Sequence, residues 1–377
     1  MEPFRQPLQC DGERVWRSYL GGSLLDLLHG RADAPDGSFP EEWMLSTTRA
    51  RNPGRSQIEE GICHLSGSDR KVSLRELIAA HPEKMLGKAH AAEYGDTPGI
   101  LVKLIDSLER LVVQGHPNTD GARKFFNSRF GKTECWHILG LRNQAGIDPR
   151  IYLGFRKGVT RETWRDAFLR QDKPALLGMM HRFKPAPGDT FIVHGGVPHA
   201  IGPGCLLVEI QEPTDFTFSL ERRMDSGLEI PEESCHLGIG IENMFDCFLY
   251  EGRSEAETAS AWRLERKTLA KTPDYLIESL VDYDVTPCFR MDRALLIGRL
   301  DLPPEDQFFG LYVEGGNGMV EHAGGKMPLA ANDQVFFPAA RGAVSIVSAD
   351  NGEPLSLLRF YGPKAAHENE PCSNRCG

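Results

Sequence analysis

Short runs of alternating or continuous apolar residues, closed by glycine- and proline-containing turns, recur along most of the chain and predict a mainly β protein. Segments 99–106 (GILVKLID), 110–116 (RLVVQGH), 135–140 (CWHILG) and 150–155 (RIYLGF) read as short strands. Residues 186–199 (APGDTFIVHGGVPH) read as strand–turn–strand, and CLLVEIQ, which follows, reads as a buried strand. From about residue 286 onward every segment is a short strand at even spacing with Gly-rich turns, pointing to a second small barrel or jelly roll. Within it, GGNGMVEHAGG (315–325) lies between strands with no helix after it, so it reads as a hairpin turn and not a phosphate loop.

Two helices have legible starts. Ser73 with Glu76 forms a capping box ahead of LRELIAAHPEKMLG, a stretch that Pro82 ends or restarts. Thr160 opens TRETWRDAFLRQ, with Trp164, Ala167 and Phe168 on one face. Residues 1–70 look irregular with short strands, and SEAETASAWRLERKTL (254–269) reads as a linker-like helix.

With 377 residues, 40% hydrophobic and 25% charged, the chain can bury a sizeable core and has an ordinary soluble-enzyme composition. Its net charge of -10 argues against a generic nucleic-acid or acidic-membrane surface, so an anionic substrate would need a local cluster of Lys and Arg. No apolar run approaches a membrane-spanning length, and no basic-then-apolar leader opens the chain, so a cytoplasmic location is expected. The nine cysteines are scattered and odd in number, which suits reduced thiols; the close pair Cys372 and Cys376 reads as part of a frayed tail.

The candidate chemistry lies in three segments. Gln114 and His116 are two apart in a β-branched run, so on a strand they share a face. Glu134 in GKTECWHIL and His199 in VHGGVPHAIG sit at further strand edges, and a barrel could bring all four side chains to one point. Imidazoles with a carboxylate and an amide are a ligand set suited to a catalytic zinc. Lys132 is two residues before Glu134 and shares its face on a strand; Glu209 and Gln211 share a face of CLLVEIQ.

GDTFIVHGGVPH resembles the second cupin motif, with His194 where that motif usually has proline. A turn histidine is the expectation for His194. More widely, PEKMLG, ILVKLID, VVQGHPN, GKTECWHIL, PGDTFIVHGGVPHAIGPG and LLVEIQEPTD, in this order, resemble the type I phosphomannose isomerases, chiefly over residues 80–220. The resemblance implies two cupin-like jelly-roll barrels with an inserted helical segment. The expected units are a metal-binding domain at 1–225, a mixed helical linker at 226–285 and a second barrel at 286–377. It implies one Zn2+ per chain held by Gln114, His116, Glu134 and His199, and interconversion of mannose 6-phosphate and fructose 6-phosphate through a cis-enediol. It sets Lys103 and Lys132 around the active site, Lys132 as a catalytic and Lys103 as a substrate-binding candidate. Glu209 and Gln211, read from their shared strand face, are either substrate contacts or strand residues of a polar barrel interior. The implied partner is a small sugar phosphate, not nucleic acid or membrane, and the oligomeric state stays open.

One departure bears on activity. Past the LEIQ-like strand the family usually carries a catalytic arginine, and here the chain has Ser219. Arg222 and Arg223 follow three and four residues later and are the candidates to supply that catalytic arginine from a shifted register; on a continuing strand Arg223 would share the face of Ser219, and a turn or bulge could change that. Two alternatives therefore stand: a cupin isomerase of another sugar, or a non-catalytic sugar-phosphate-binding relative.

Overall fold

The computed structural model describes residues 2–52, 54–67, 72–349 and 352–365; Cys372 and Cys376 lie outside these. The described chain is mainly β, in antiparallel sheets of eight, seven, five and four strands. Among the described residues no helix is long and apolar enough to cross a membrane.

The seven-stranded sheet runs in the order Arg263–Leu264, Thr190–Val193, Glu134–Leu141, Cys205–Gln211, Leu101–Asp106, Glu41–Met44 and Glu13–Val15. The five-stranded sheet runs Phe218–Ser219, Gln114–Gly115, His199–Ile201, Ile151–Phe155 and Met180–Phe183. Trp136, Ile138 and Leu207 of the first sheet share one core with Ile151, Leu153 and Ile201 of the second. The same core takes in Met291, Tyr312 and Phe360 of the eight-stranded sheet. A sheet covered on both sides has no polar face, which is why CLLVEIQ is buried at every position and reads as a continuous run.

The helices form where their caps lie. Ser73 and Glu76 make the reciprocal capping box before Leu74–Ala80, and Pro82 then opens a new helix, Pro82–Leu86. Thr160 caps Arg161–Leu169, whose Trp164, Ala167 and Phe168 pack against Met244, Phe245 and Phe248. GGNGMVEHAGG holds a strand of its own, Gly318–His322, and a tight turn that joins it to Gly325–Leu329, so the expected hairpin turn occupies only part of the segment.

Three stretches differ from expectation. The helix expected over 254–269 stops at Trp262, which is buried against the core; Arg263–Leu264 then joins the edge of Thr190–Val193, and Lys267–Lys271 starts the eight-stranded sheet. Tyr275–Val281, in the region expected as a mixed helical linker, is the second strand of that sheet. Within RLVVQGH only Gln114–Gly115 is laddered, since Val113 gives its N–H to the Glu221 carboxylate and its carbonyl to Leu220. The chain's first strand, Leu8–Asp11, pairs with Gln334–Phe337, so N-terminal residues complete the eight-stranded sheet.

Candidate metal centre

The facing sheets bring His116, Glu134 and His199 together. Glu134 opens its strand in the seven-stranded sheet, and Gln211 of the neighbouring strand pairs with it. His199 opens a strand of the five-stranded sheet, with Gln114 directly opposite; Ser219 pairs with Gln114 from the other side. His116 follows Gln114–Gly115 immediately. The two glycines before His199 are needed here. A β carbon on Gly195 would lie 2.6 Å from the Asn118 Cα, and Gly196 has φ +89° and gives its N–H to the His116 carbonyl at 2.7 Å. The HGG turn thereby docks the His199 segment onto the His116 segment. His194 sits at the start of that turn, its carbonyl accepting the Val197 N–H, as a turn histidine should.

Ligand atoms of the three residues lie within 4.8 Å of one another, all buried. His116 Nε2 is 3.1 Å and His199 Nε2 3.7 Å from the Glu134 carboxylate. Each imidazole is aimed by its other nitrogen, His116 Nδ1 to the Phe216 carbonyl at 2.8 Å and His199 Nδ1 to the Val197 carbonyl at 2.9 Å. A protonated Nδ1 leaves the Nε2 lone pair facing the carboxylate, the arrangement of a metal-ligating histidine. Burial pushes both imidazoles below their ordinary range, His199 to about 3, with the Lys132 charge adding to the effect on His116 and the His116 ring to that on His199. Burial works to raise the Glu134 carboxyl, but Lys132 and His116 outweigh it and hold it well below the usual carboxylate range. Two neutral imidazoles and one carboxylate are a divalent-cation donor set. The fit is supported by atoms without other work: both Glu134 oxygens and His199 Nε2 are buried with no hydrogen-bond partner. Lys132 Nζ is 3.0 Å from Glu134 Oε1, but this is ion-pair proximity without hydrogen-bond alignment.

Of the cluster, Glu134 lines a cleft of about 1710 Å³ together with Gln114, Lys132, Lys103 and Glu209 among others; His116 and His199 are not among its lining residues. Lys132, buried, also donates to Thr217 Oγ1 at 3.1 Å. Lys103 donates to Glu209 Oε1 at 2.8 Å, and the Trp136 indole donates to Glu209 Oε2. Gln211 is buried but turned to the carbonyls of Glu212 and Thr214, away from the cleft lining.

Arg222 and Arg223 do not line the cleft. The strand ends at Ser219, so the period-of-two extrapolation fails; Arg222 lies over Phe168 and pairs with Glu232 at 2.7 Å, and Arg223 is exposed. Ser219 turns its hydroxyl to the Glu221 carbonyl. A charged group that sequence reasoning missed is Arg17, which pairs with Glu41 at 2.9 Å and Asp215 at 3.2 Å beside Lys103. Burial would raise the Asp215 carboxyl, yet the Arg17 charge holds it far below its usual range. The available signal was charge next to tryptophan in short apolar stretches: Trp16–Arg17 and Glu41-Glu42-Trp43.

Over 208 residues the chain is 38% identical to the mannose-6-phosphate isomerase ManA of Bacillus subtilis, a match spanning 55% of this chain and 57% of ManA. The chain is similar in sequence to proteins named mannose-6-phosphate isomerase. Its match to YvyI of B. subtilis is longer, 26% identical over 329 residues, covering 87% of this chain and 90% of YvyI. The chain spans only 57% of the length of ManA and of GmuF, another B. subtilis relative. The crystal structure of the B. subtilis mannose 6-phosphate isomerase superposes with a TM-score of 0.72 at 20% identity, over 94% of this chain and 99% of that one. A zinc-bound mannose 6-phosphate isomerase superposes with a TM-score of 0.68 at 14% identity, over 95% and 99%. No family model matches the chain.

Proposed function

We propose that this chain is a zinc-dependent aldose–ketose isomerase interconverting mannose 6-phosphate and fructose 6-phosphate. The observation that carries the reading is the buried convergence of His116, Glu134 and His199, whose carboxylate oxygens and His199 Nε2 have no hydrogen-bond partner, with Glu134 lining a wide cleft. Gln114, opposite His199 in the ladder, is the fourth ligand of a single zinc ion. When bound, the ion supplies Lewis-acid polarisation of the substrate's oxygens. The protein's own groups do the rest. Isomerisation passes a proton between C2 and C1 through a cis-enediol, and Lys132 donates to the sugar oxygen on which negative charge develops. Lys103 and Glu209, locked together in the cleft wall, hold the sugar hydroxyls. Arg222 and Arg223 are assigned no part in this scheme, since neither lines the cleft.

Ser219, standing where the resemblance expects an arginine, favours a second reading: an isomerase of another sugar, or a binder without turnover. A coupled assay of zinc-loaded protein separates the two. Conversion of mannose 6-phosphate that a chelator abolishes and zinc restores supports the isomerase. No turnover from protein that still holds one zinc per chain sinks it in favour of the second reading.

A further inference from the structure

The cations around the cleft fall into two groups. Those at the floor are committed: Arg17 to Glu41 and Asp215, Lys103 to Glu209, and Lys132 beside Glu134. Arg49, Arg51 and Arg75, which line the cleft from residues 49–51 and the first turn of Leu74–Ala80, are exposed. Among the described residues, none of the three has a carboxylate within ion-pair distance. Arg49 spends its guanidinium on the carbonyls of Ser56 and Ile58.

Arg51 is the one that is held in place with its donors free. Its backbone N–H donates to Asp215 Oδ2 at 2.8 Å, the carboxylate that Arg17 also grips. Its guanidinium lies over the Phe216 ring, 5.2 Å from the centroid. Phe216 in turn stacks on Phe126 at 4.5 Å and gives its carbonyl to His116 Nδ1. Arg51 is thus tied, through Asp215 and Phe216, to the peptide that aims a histidine of the candidate metal centre. An aromatic ring beneath a guanidinium restricts it at little cost and leaves its N–H edge to take two oxygens at once. The strand end opposite Gln114 offers no cation, only Ser219 with its hydroxyl already bonded.

We propose that Arg51 is the phosphate-recognising residue of the cleft: it meets the phosphate dianion of a sugar whose carbonyl end lies at the buried His116–Glu134–His199 cluster. The inference rests on the sugar-phosphate reading above and deepens it by naming the group that would distinguish the phosphorylated from the plain sugar. A guanidinium–phosphate contact is bidentate and charge-assisted, which a neutral hydroxyl cannot imitate.

The test uses a ligand that cannot isomerise, so it does not depend on turnover. Mannitol 6-phosphate and mannitol are titrated calorimetrically into zinc-loaded wild type, Arg51→Ala and Arg51→Lys. Wild type should prefer the phosphorylated hexitol. Arg51→Ala should cut that preference by about 10- to 100-fold, the range for losing a charged hydrogen bond, while leaving mannitol binding and zinc content unchanged. Arg51→Lys should recover part of it, keeping the charge and losing the fork. Arg165→Ala, a distant surface change, should match wild type. An Arg51→Ala protein with undiminished preference, or a wild type with none, overturns the assignment. A wild type that prefers the phosphate through Arg51 but turns over no mannose 6-phosphate supports it and counts against the isomerase reading alone.

Discussion

Lys103 and Glu209 stand directly opposite one another in adjacent strands, and their side chains close to 2.8 Å in the wall of the cleft. Both are almost wholly buried. Burial works against the Lys103 charge, but Glu209 and Glu41 outweigh it and raise its pKa, so the ammonium stays charged. Breaking such a pair from one side leaves the other charge buried and alone, at a cost of about 3–5 kcal/mol. Lys103→Met should therefore lower unfolding free energy in urea by about that amount. The double variant Lys103→Met/Glu209→Gln should recover a large part, because no unpaired charge remains. A single variant as stable as wild type would show that the pair is not desolvated.

The candidate metal centre makes its own prediction. His199→Ala and Glu134→Gln each remove a donor that has no hydrogen-bond partner, so bound zinc per chain, measured by elemental analysis after gel filtration, should fall steeply in both. Thermal unfolding of wild type should shift upward with added zinc and that of His199→Ala should not, since an ion that binds only the folded state stabilises it. Full metal content in His199→Ala removes His199 from the ligand set.

Much of this site was legible because it is locally encoded. Of the three clustered residues, His116 closes a β-branched run, Glu134 heads an apolar strand, and His199 follows the glycine turn that only a close backbone approach requires. The caps at Ser73 and Thr160 are equally local. The Arg17–Glu41–Asp215 cluster was not legible, because its members come from segments up to 198 residues apart and meet only when Glu41–Met44 is laddered between Glu13–Val15 and Leu101–Asp106. The linker region misled for a related reason: Glu255–Trp262 is a well-capped helix, but a sheet edge at Thr190–Val193 takes the chain just after it. Local propensity cannot report an open edge formed elsewhere.

Arg222 and Arg223 give a sharper check on where the strand stops. Arg222 is engaged by Glu232 and Phe168, and Arg223 is exposed and not part of the cleft lining. Arg222→Ala/Arg223→Ala should leave kcat/KM for mannose 6-phosphate close to wild type. The loss of the half-exposed Arg222–Glu232 pair should cost at most about 1 kcal/mol of stability. A large drop in kcat at unchanged stability would mean that one of the two arginines turns into the cleft when substrate is bound.

Acid should weaken the fold through His137. This ring points to the side of the seven-stranded sheet opposite the metal centre, buried, with Nδ1 3.0 Å from Thr190 Oγ1. Burial lowers its pKa to about 4, and the attraction of Glu314 does not offset that loss of solvation. In the unfolded chain the ring takes its proton near pH 6.5. Between these values the unfolded state binds a proton that the folded state refuses, so the contribution of His137 is fully present above about pH 6.5 and is lost as pH falls toward 4. The slope from this one group is about 1.4 kcal/mol per pH unit within the window. His137→Asn keeps a donor for Thr190 and has nothing to titrate. Its unfolding free energy, measured in urea from pH 7 to pH 4, should fall less steeply than that of wild type. Parallel curves for the two proteins would place the acid sensitivity at other groups.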